Sequence, residues 1–166
     1  MNLSWNRRNT FLLAGDRQIP CWCKVRNELN GLRPKANGDA ADLFCASPPG
    51  QAQASGPPSM PRVFPVGSWR IICINPHPDP KWDNGYLYPF WIGTDAEQEL
   101  DVWSLNDGGR YDAPTGEKVL DTGYGLHFSS CDWTQGCIRS ATEADLRWIV
   151  ANVRIGDPFV VTEEAA

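Results

Sequence analysis

Two side chains in this sequence are spaced for thiol chemistry. His127 and Cys137 bracket the run His127-Phe128-Ser129-Ser130-Cys131-Asp132-Trp133-Thr134-Gln135-Gly136-Cys137-Ile138-Arg139. A thiol is nucleophilic as its thiolate, so a reactive Cys needs a base or a positive neighbour. His127 supplies that base if the loop between them folds back on itself. Gly136 lets backbone approach a substrate carbonyl closely, and the N–H groups around Gly136 and Cys137 are then placed to form an oxyanion hole. Gln135 is either an oxyanion helper or an amide that fixes the loop. Ser129, Ser130 and Asp132 are candidates to orient His127, although loop polar groups commonly just satisfy backbone. Trp133 is the Trp nearest the thiol and a candidate wall of a substrate groove. Arg139 either grips a carboxylate with its planar fork or pins the loop to the fold. Taken alone, a Cys is more often a small buried residue and a His a satisfied core group. Gly136, Ile138 and Arg139 around the pair turn the reading toward nucleophile and base. Cys131 is either a resolving thiol or a small loop residue.

The elements that must position these groups can be sketched from pattern. A short strand over Tyr124–Phe128 ends at His127. A helix follows Cys137: Leu146, Ile149, Val150 and Val153 share one face of Ala141–Val153, with Trp148 beside them. Ser140 reads as its N-cap and Glu143 as the partner of a capping box. That places Cys137 just before the cap, where the helix dipole favours an anion. Thr10–Ala14 and Gln18–Val25 suggest a hairpin around Gly15-Asp16-Arg17. Gly67–Asn75 reads as a strongly buried strand, Tyr86–Ile92 and Leu100–Leu105 as further strands, and Asp157–Val161 as the last. Trp69, Trp91 and Trp103 fall in these strands and read as core. Cys21, Cys23, Cys45 and Cys73 have no base nearby and read as bystanders. Asn27 to Arg62 is rich in Pro and Gly, with a linker-like Gln51–Gly56 stretch, and reads as a functional insertion or as disorder. The chain is expected to be mostly β (α+β), with one C-terminal helix.

Composition bounds the function. A length of 166 residues suits one domain. A net charge of −5 argues against nucleic acid and anionic membrane as partners. Two His exclude a multi-His metal site, and the six Cys include no CxxC pair, so no structural zinc is expected. The apolar run Phe11–Ala14 is short for a signal peptide, and no run approaches the ~20 residues of a membrane span. Synthesis in the cytoplasm, with thiols kept reduced, is the expectation.

Thr134-Gln135-Gly136-Cys137-Ile138-Arg139 resembles the Ser/Thr-His-Gly-Cys-(Ile/Val)-Arg/Asn motif of L,D-transpeptidases with the YkuD-type catalytic domain. Tyr124-Gly125-Leu126-His127 resembles that family's strand ending in the catalytic His. Phe64–Ile71 is similar to its Pro-x-Gly-x-(aromatic)-x-Ile stretch, and Gly156–Val161 to its Gly-x-Pro-Val-x-Val ending. The family's second His is Gln135 here, the Gly that often follows the first His is Phe128, and the His-to-Cys spacing is shorter.

The resemblance implies a single-domain, β-sandwich or barrel-like fold over residues 1–166, with an insertion at about 27–62. It implies a thioester mechanism on peptidoglycan stem peptides, with no cofactor. Cys137 would be the nucleophile, His127 the base, Gly136, Gln135 and Ser129 oxyanion or orienting groups, and Arg139 and Trp133 substrate contacts. Transpeptidation, D-amino-acid exchange and carboxypeptidation all fit. Small signal-less relatives occur among type VI secretion toxins and phage-encoded proteins. By that likeness the chain would act in the periplasm or cell wall after delivery by a secretion system or phage lysis, with an immunity protein as a further partner. The alternatives are a non-catalytic peptidoglycan-binding or phage structural module on the same fold, and a different thiol amidase.

Overall fold

The computed structural model describes residues 1–25, 57–78, 88–128, 134 and 136–165. Its strands are β1 (Leu3–Asn6), β2 (Phe11–Ala14), β3 (Arg17–Trp22), β4 (Gly67–Pro76), β5 (Phe90–Thr94), β6 (Gln98–Leu105), β7 (Tyr111–Asp121), β8 (Gly125–His127), β9 (Ile138–Ser140) and β10 (Pro158–Thr162), with a helix α1 (Glu143–Asn152) between β9 and β10. Eight strands close into a barrel in the order β1-β10-β4-β5-β8-β9-β3-β2, while β6 and β7 form a separate two-stranded sheet. The fold is therefore β-rich with one C-terminal helix, as expected.

The barrel follows from alternation. Leu3 and Trp5, Leu12 and Ala14, Ile19 and Cys21, and Phe159 and Val161 are buried at every second position of their strands. A slip of one residue would turn each set into water, so the register is strongly specified. Leu126 of β8, Ile138 of β9 and Ile92 of β5 join the same core, as do Leu146 and Ile149 of α1. Neighbouring strands run antiparallel except at β1–β10 and β8–β9, which are parallel. Ala14 pairs with Arg17, leaving Gly15-Asp16 as the tight turn of the expected hairpin.

Several expectations need correction. Ser140 is not the helix cap. It is held in β9 opposite Cys21, and its hydroxyl donates to the Thr142 carbonyl. Thr142 caps the helix instead, accepting from Asp145 N–H at 3.1 Å. Its hydroxyl also donates to the Asp145 carboxylate at 2.7 Å. β4 is not strongly buried: among its residues only Ile71 is, and Ile72 is 52% exposed. A register shift between Ile71 and Cys73 re-aims the strand there. An apolar run alone does not say which face is covered. The strand expected at Tyr86–Ile92 appears as Phe90–Thr94, after Pro89, which has no N–H for a ladder; residues 79–87 lie outside the described residues. β1 and β7 were not anticipated. β7 is polar, carries Pro114 and Gly116, and is exposed over most of its length.

Of the Pro- and Gly-rich segment, residues 26–56 lie outside the described residues. Its end is tied to β6: Ser59 bridges Val102, Met60 N–H donates to Asp101 O at 3.0 Å, and Trp103 N–H donates to Pro58 O at 2.8 Å. Tyr111 hydroxyl adds a bond to Ser59 O at 3.0 Å.

Candidate active site

Four adjacent barrel strands, β5, β8, β9 and β3, build the site. Their inward residues are Ile92, Leu126, Ile138 and Cys21, so the residues one position along face outward. His127 pairs with Arg139 across β8–β9, and Arg139 pairs with Trp22 across β9–β3. The β5–β8 register, Ile92 with Leu126, continues to set Trp91 beside His127. The result is a row of Trp91, His127, Arg139 and Trp22 across the outer face. The Trp91 and His127 rings stack with centroids 6.0 Å apart and planes 28° from parallel. The Arg139 guanidinium lies 4.4 Å from the Trp22 ring centroid and 5.1 Å from that of Phe128.

Cys137 precedes β9 by one residue. The pairing of Leu126 with Ile138 sets it beside Gly125 and two residues short of His127's own partner. One rise of two residues and one strand spacing separate the Cys137 and His127 Cα atoms by about 8 Å on one face, within reach of their side chains. Cys137 Sγ–H donates to the Gly123 carbonyl at 3.7 Å. His127 is fully buried and Cys137 is nearly so. Gly125 has no room for a side chain: a Cβ would meet Ile92 O and lie 2.8 Å from the Trp91 ring. The Trp91 indole therefore lies over the backbone next to the thiol as well as against the imidazole.

The end of β3 holds the loop that carries Cys137. Thr134 is fully buried, and its N–H donates to Lys24 O at 2.8 Å. Thr134 Oγ1 accepts from Gly136 N–H at 3.4 Å. Cys23 Sγ–H donates to Gly136 O at 3.3 Å and lies 3.7 Å from Thr134 Oγ1. Gly136 has φ +115, open to glycine and strained for other residues. A Cβ there would lie 2.5 Å from the Tyr124 ring and 2.6 Å from Arg62 O. Behind it, Tyr124 hydroxyl accepts from Gln98 Nε2 at 2.9 Å, and burial, with the neighbouring Asp121 carboxyl, raises the phenol well above its ordinary value. Burial pushes the Cys21 thiol up to about 12 and raises Cys23 as well, so both stay protonated at neutral pH.

Of the residues singled out in the sequence, Cys137, His127, Gly136 and Arg139 come together on this face. Gln135, Ser129, Ser130, Asp132, Trp133, Cys131 and Cys45 lie outside the described residues. Contrary to expectation, Cys137 does not sit at the helix dipole: β9 stands between it and the cap at Thr142, and the dipole's effect fades within the first turn of the helix. Arg139 is buried and held between aromatic rings. Trp91, assigned to the core on pattern, is half-buried on the outer face against His127. Cys23, assigned as a bystander, touches the loop of Cys137. Both are cross-strand neighbours, which chain order hides. The one local signal was Gly125, two residues before His127, a gap that an aromatic on the next strand fills.

Residues 48–161 match the YkuD family, the L,D-transpeptidase catalytic domain. No curated protein and no solved structure matched the chain.

Proposed function

The chain belongs to the YkuD family of L,D-transpeptidase catalytic domains, and from that premise we propose that Cys137 and His127 carry acyl transfer on peptidoglycan stem peptides. The observation that carries the reading is the parallel β8–β9 register, which sets a thiol and an imidazole diagonally on one face. His127 takes the thiol proton. The Cys137 sulfur attacks the carbonyl carbon of the stem's third residue. The oxyanion that forms is held by the Cys137 N–H, since Gly136 N–H already donates to Thr134 Oγ1, with Gln135 as a further candidate. Collapse breaks the C–N bond, and His127 returns its proton to the departing D-Ala amine, leaving a thioester. An acceptor amine then gives a cross-link or D-amino-acid exchange, and water gives carboxypeptidation. Ser129 is a candidate to orient His127, and Trp133 a candidate groove wall. Arg139 is held by Trp22 and Phe128, which supports pinning of the loop over contact with the stem carboxylate.

A carbapenem tests the chemistry. Wild type gains the intact mass of the lactam, Cys137→Ser gains none, and His127→Asn acylates about 10²–10⁴-fold more slowly. No adduct on wild type together with unchanged muropeptides overturns the proposal. Peptidoglycan binding that survives Cys137→Ala, without turnover by wild type, marks a non-catalytic module. The identity of the released fragment separates transpeptidation, hydrolysis and amidase activity.

The likeness to small signal-less relatives with shortened, variant motifs motivates an extension of the proposal, whereas the departures at Gln135 and Phe128 motivate the non-catalytic alternative. In it the protein is an antibacterial effector, delivered by type VI secretion or phage lysis and countered by an immunity protein. Growth arrest on expression directed to the periplasm, absent in the cytoplasm and with Cys137→Ala, is the expected result. Equal growth in all three arms rejects it.

A further inference from the structure

We infer that Cys23 is a positioning residue for the oxyanion site, acting through the peptide unit that joins Gly136 to Cys137. The inference rests on the acyl-transfer reading and deepens it. The Gly136 carbonyl and the Cys137 N–H belong to one planar trans peptide, so they point in opposite directions. Cys23 Sγ–H holds that carbonyl at 3.3 Å. Fixing the oxygen on the core side aims the Cys137 N–H to the other side, where the thiol lies. Cys23 packs against the barrel core, whereas Cys137 follows the outward alternation of β9, so the peptide spans the wall of the barrel.

Two further contacts tie the same unit to the end of β3. Lys24 O accepts from Thr134 N–H, and Thr134 Oγ1 accepts from Gly136 N–H at 3.4 Å. Cys23 Sγ also lies 3.7 Å from Thr134 Oγ1. Gly136 needs such anchoring, because glycine's backbone is the least restricted of all. Its φ of +115 is held by what surrounds it: the Tyr124 ring on one side and Arg62 O on the other. Burial raises the Cys23 thiol, which keeps the proton that makes it a donor rather than a second nucleophile.

The test separates carbonyl chemistry from thiol reactivity. In carbapenem acylation the Cys137 sulfur bonds the lactam carbonyl carbon, the ring C–N bond breaks, and the nitrogen takes the proton. Charge builds on the carbonyl oxygen, so the step needs the aimed N–H. Alkylation of Cys137 by iodoacetamide displaces iodide at a saturated carbon and needs no oxyanion site. Adduct on Cys137 is followed by peptide mass spectrometry, which keeps other thiols from confusing the count.

Cys23→Ala should acylate roughly 10-fold or more slowly than wild type, since a misaimed oxyanion donor loses much of its effect. Its alkylation rate and the pH profile of that rate should stay at wild-type values. Cys23→Ser, which keeps a donor, should acylate within about threefold of wild type. If Cys23→Ala does not fold, Cys23→Val fills the space without a donor and is read the same way. Acylation by the donorless variant at the wild-type rate overturns the inference. So does a parallel loss of acylation and alkylation, which would mark a general structural role. A wild type that alkylates but never acylates overturns the acyl-transfer reading, and the inference with it. That result is distinct from a wild type that acylates beside an unaffected Cys23→Ala.

Discussion

At the scale of single residues, the site is defined as much by missing Cβ atoms as by reactive groups. Gly136 combines a left-handed φ with contacts on two sides. Gly136→Ala therefore meets both backbone strain and overlap with the Tyr124 ring and Arg62 O. The expected loss is at least about 2 kcal/mol of stability, together with loss of carbapenem acylation. Gly116 separates the two causes. It also has a positive φ, +85, but nothing lies within 4 Å of its would-be Cβ. Gly116→Ala should cost only the strain, about 1 kcal/mol, and leave acylation intact. Urea midpoints and adduct rates on the two variants check the difference. Equal losses in both would place the whole cost in backbone strain. At this scale the sequence was informative about His127, Gly136 and Cys137, because they sit in one short stretch with recognisable spacing. It was silent on Trp91 and Cys23, whose roles come from strands far away in the chain. Local pattern does not encode which strand lies beside which.

At the scale of elements, the strands that alternate cleanly were legible. The hairpin of β2 and β3, β8 and β10 all appear near their expected places. β7 was hidden because its residues face water and carry little apolar periodicity. Its pairing with β6 comes instead from backbone ladders, interrupted by two register shifts. The helix was found, but its start was displaced. Ser140 has good capping chemistry, yet its backbone is already committed to the β9 ladder opposite Cys21. The capping role passes to Thr142, and Glu143 at the helix start pairs with Arg147 at 2.9 Å. Thr142→Ala should lower stability by about 1 kcal/mol, seen as a melting shift of roughly 2–4 °C for a chain of this length. An unchanged melting temperature would mean that the cap contributes nothing beyond what packing of Leu146 and Ile149 already secures.

At the scale of the whole molecule, the two sheets are joined behind the thiol loop. Asp121 ends β7, Gln98 begins β6, and Tyr124 lies just before β8. Gln98 Nε2 donates both to Tyr124 hydroxyl and to Val63 O, each at 2.9 Å. Burial raises the Asp121 carboxyl above its ordinary value, against the opposing effect of the Tyr124 hydrogen bond. A raised acid contributes stability that is full below the unfolded value, about 3.9, and is lost as pH rises through the folded one. Asp101, on the same hairpin, is shifted the other way by Lys118, whose ammonium lies at 2.7 Å. Its contribution is present above the unfolded value and is lost as pH falls through the folded one. The two Asn variants should therefore change with pH in opposite senses. Relative to wild type, Asp121→Asn gains stability between about pH 3 and pH 7, while Asp101→Asn loses it, the latter weakly because the pair is exposed. Urea unfolding of wild type and both variants across that range measures the two slopes. A flat difference for Asp121→Asn would mean that its carboxyl titrates alike in the folded and unfolded chain. The Asp121 carboxyl would then contribute nothing to the junction that depends on pH.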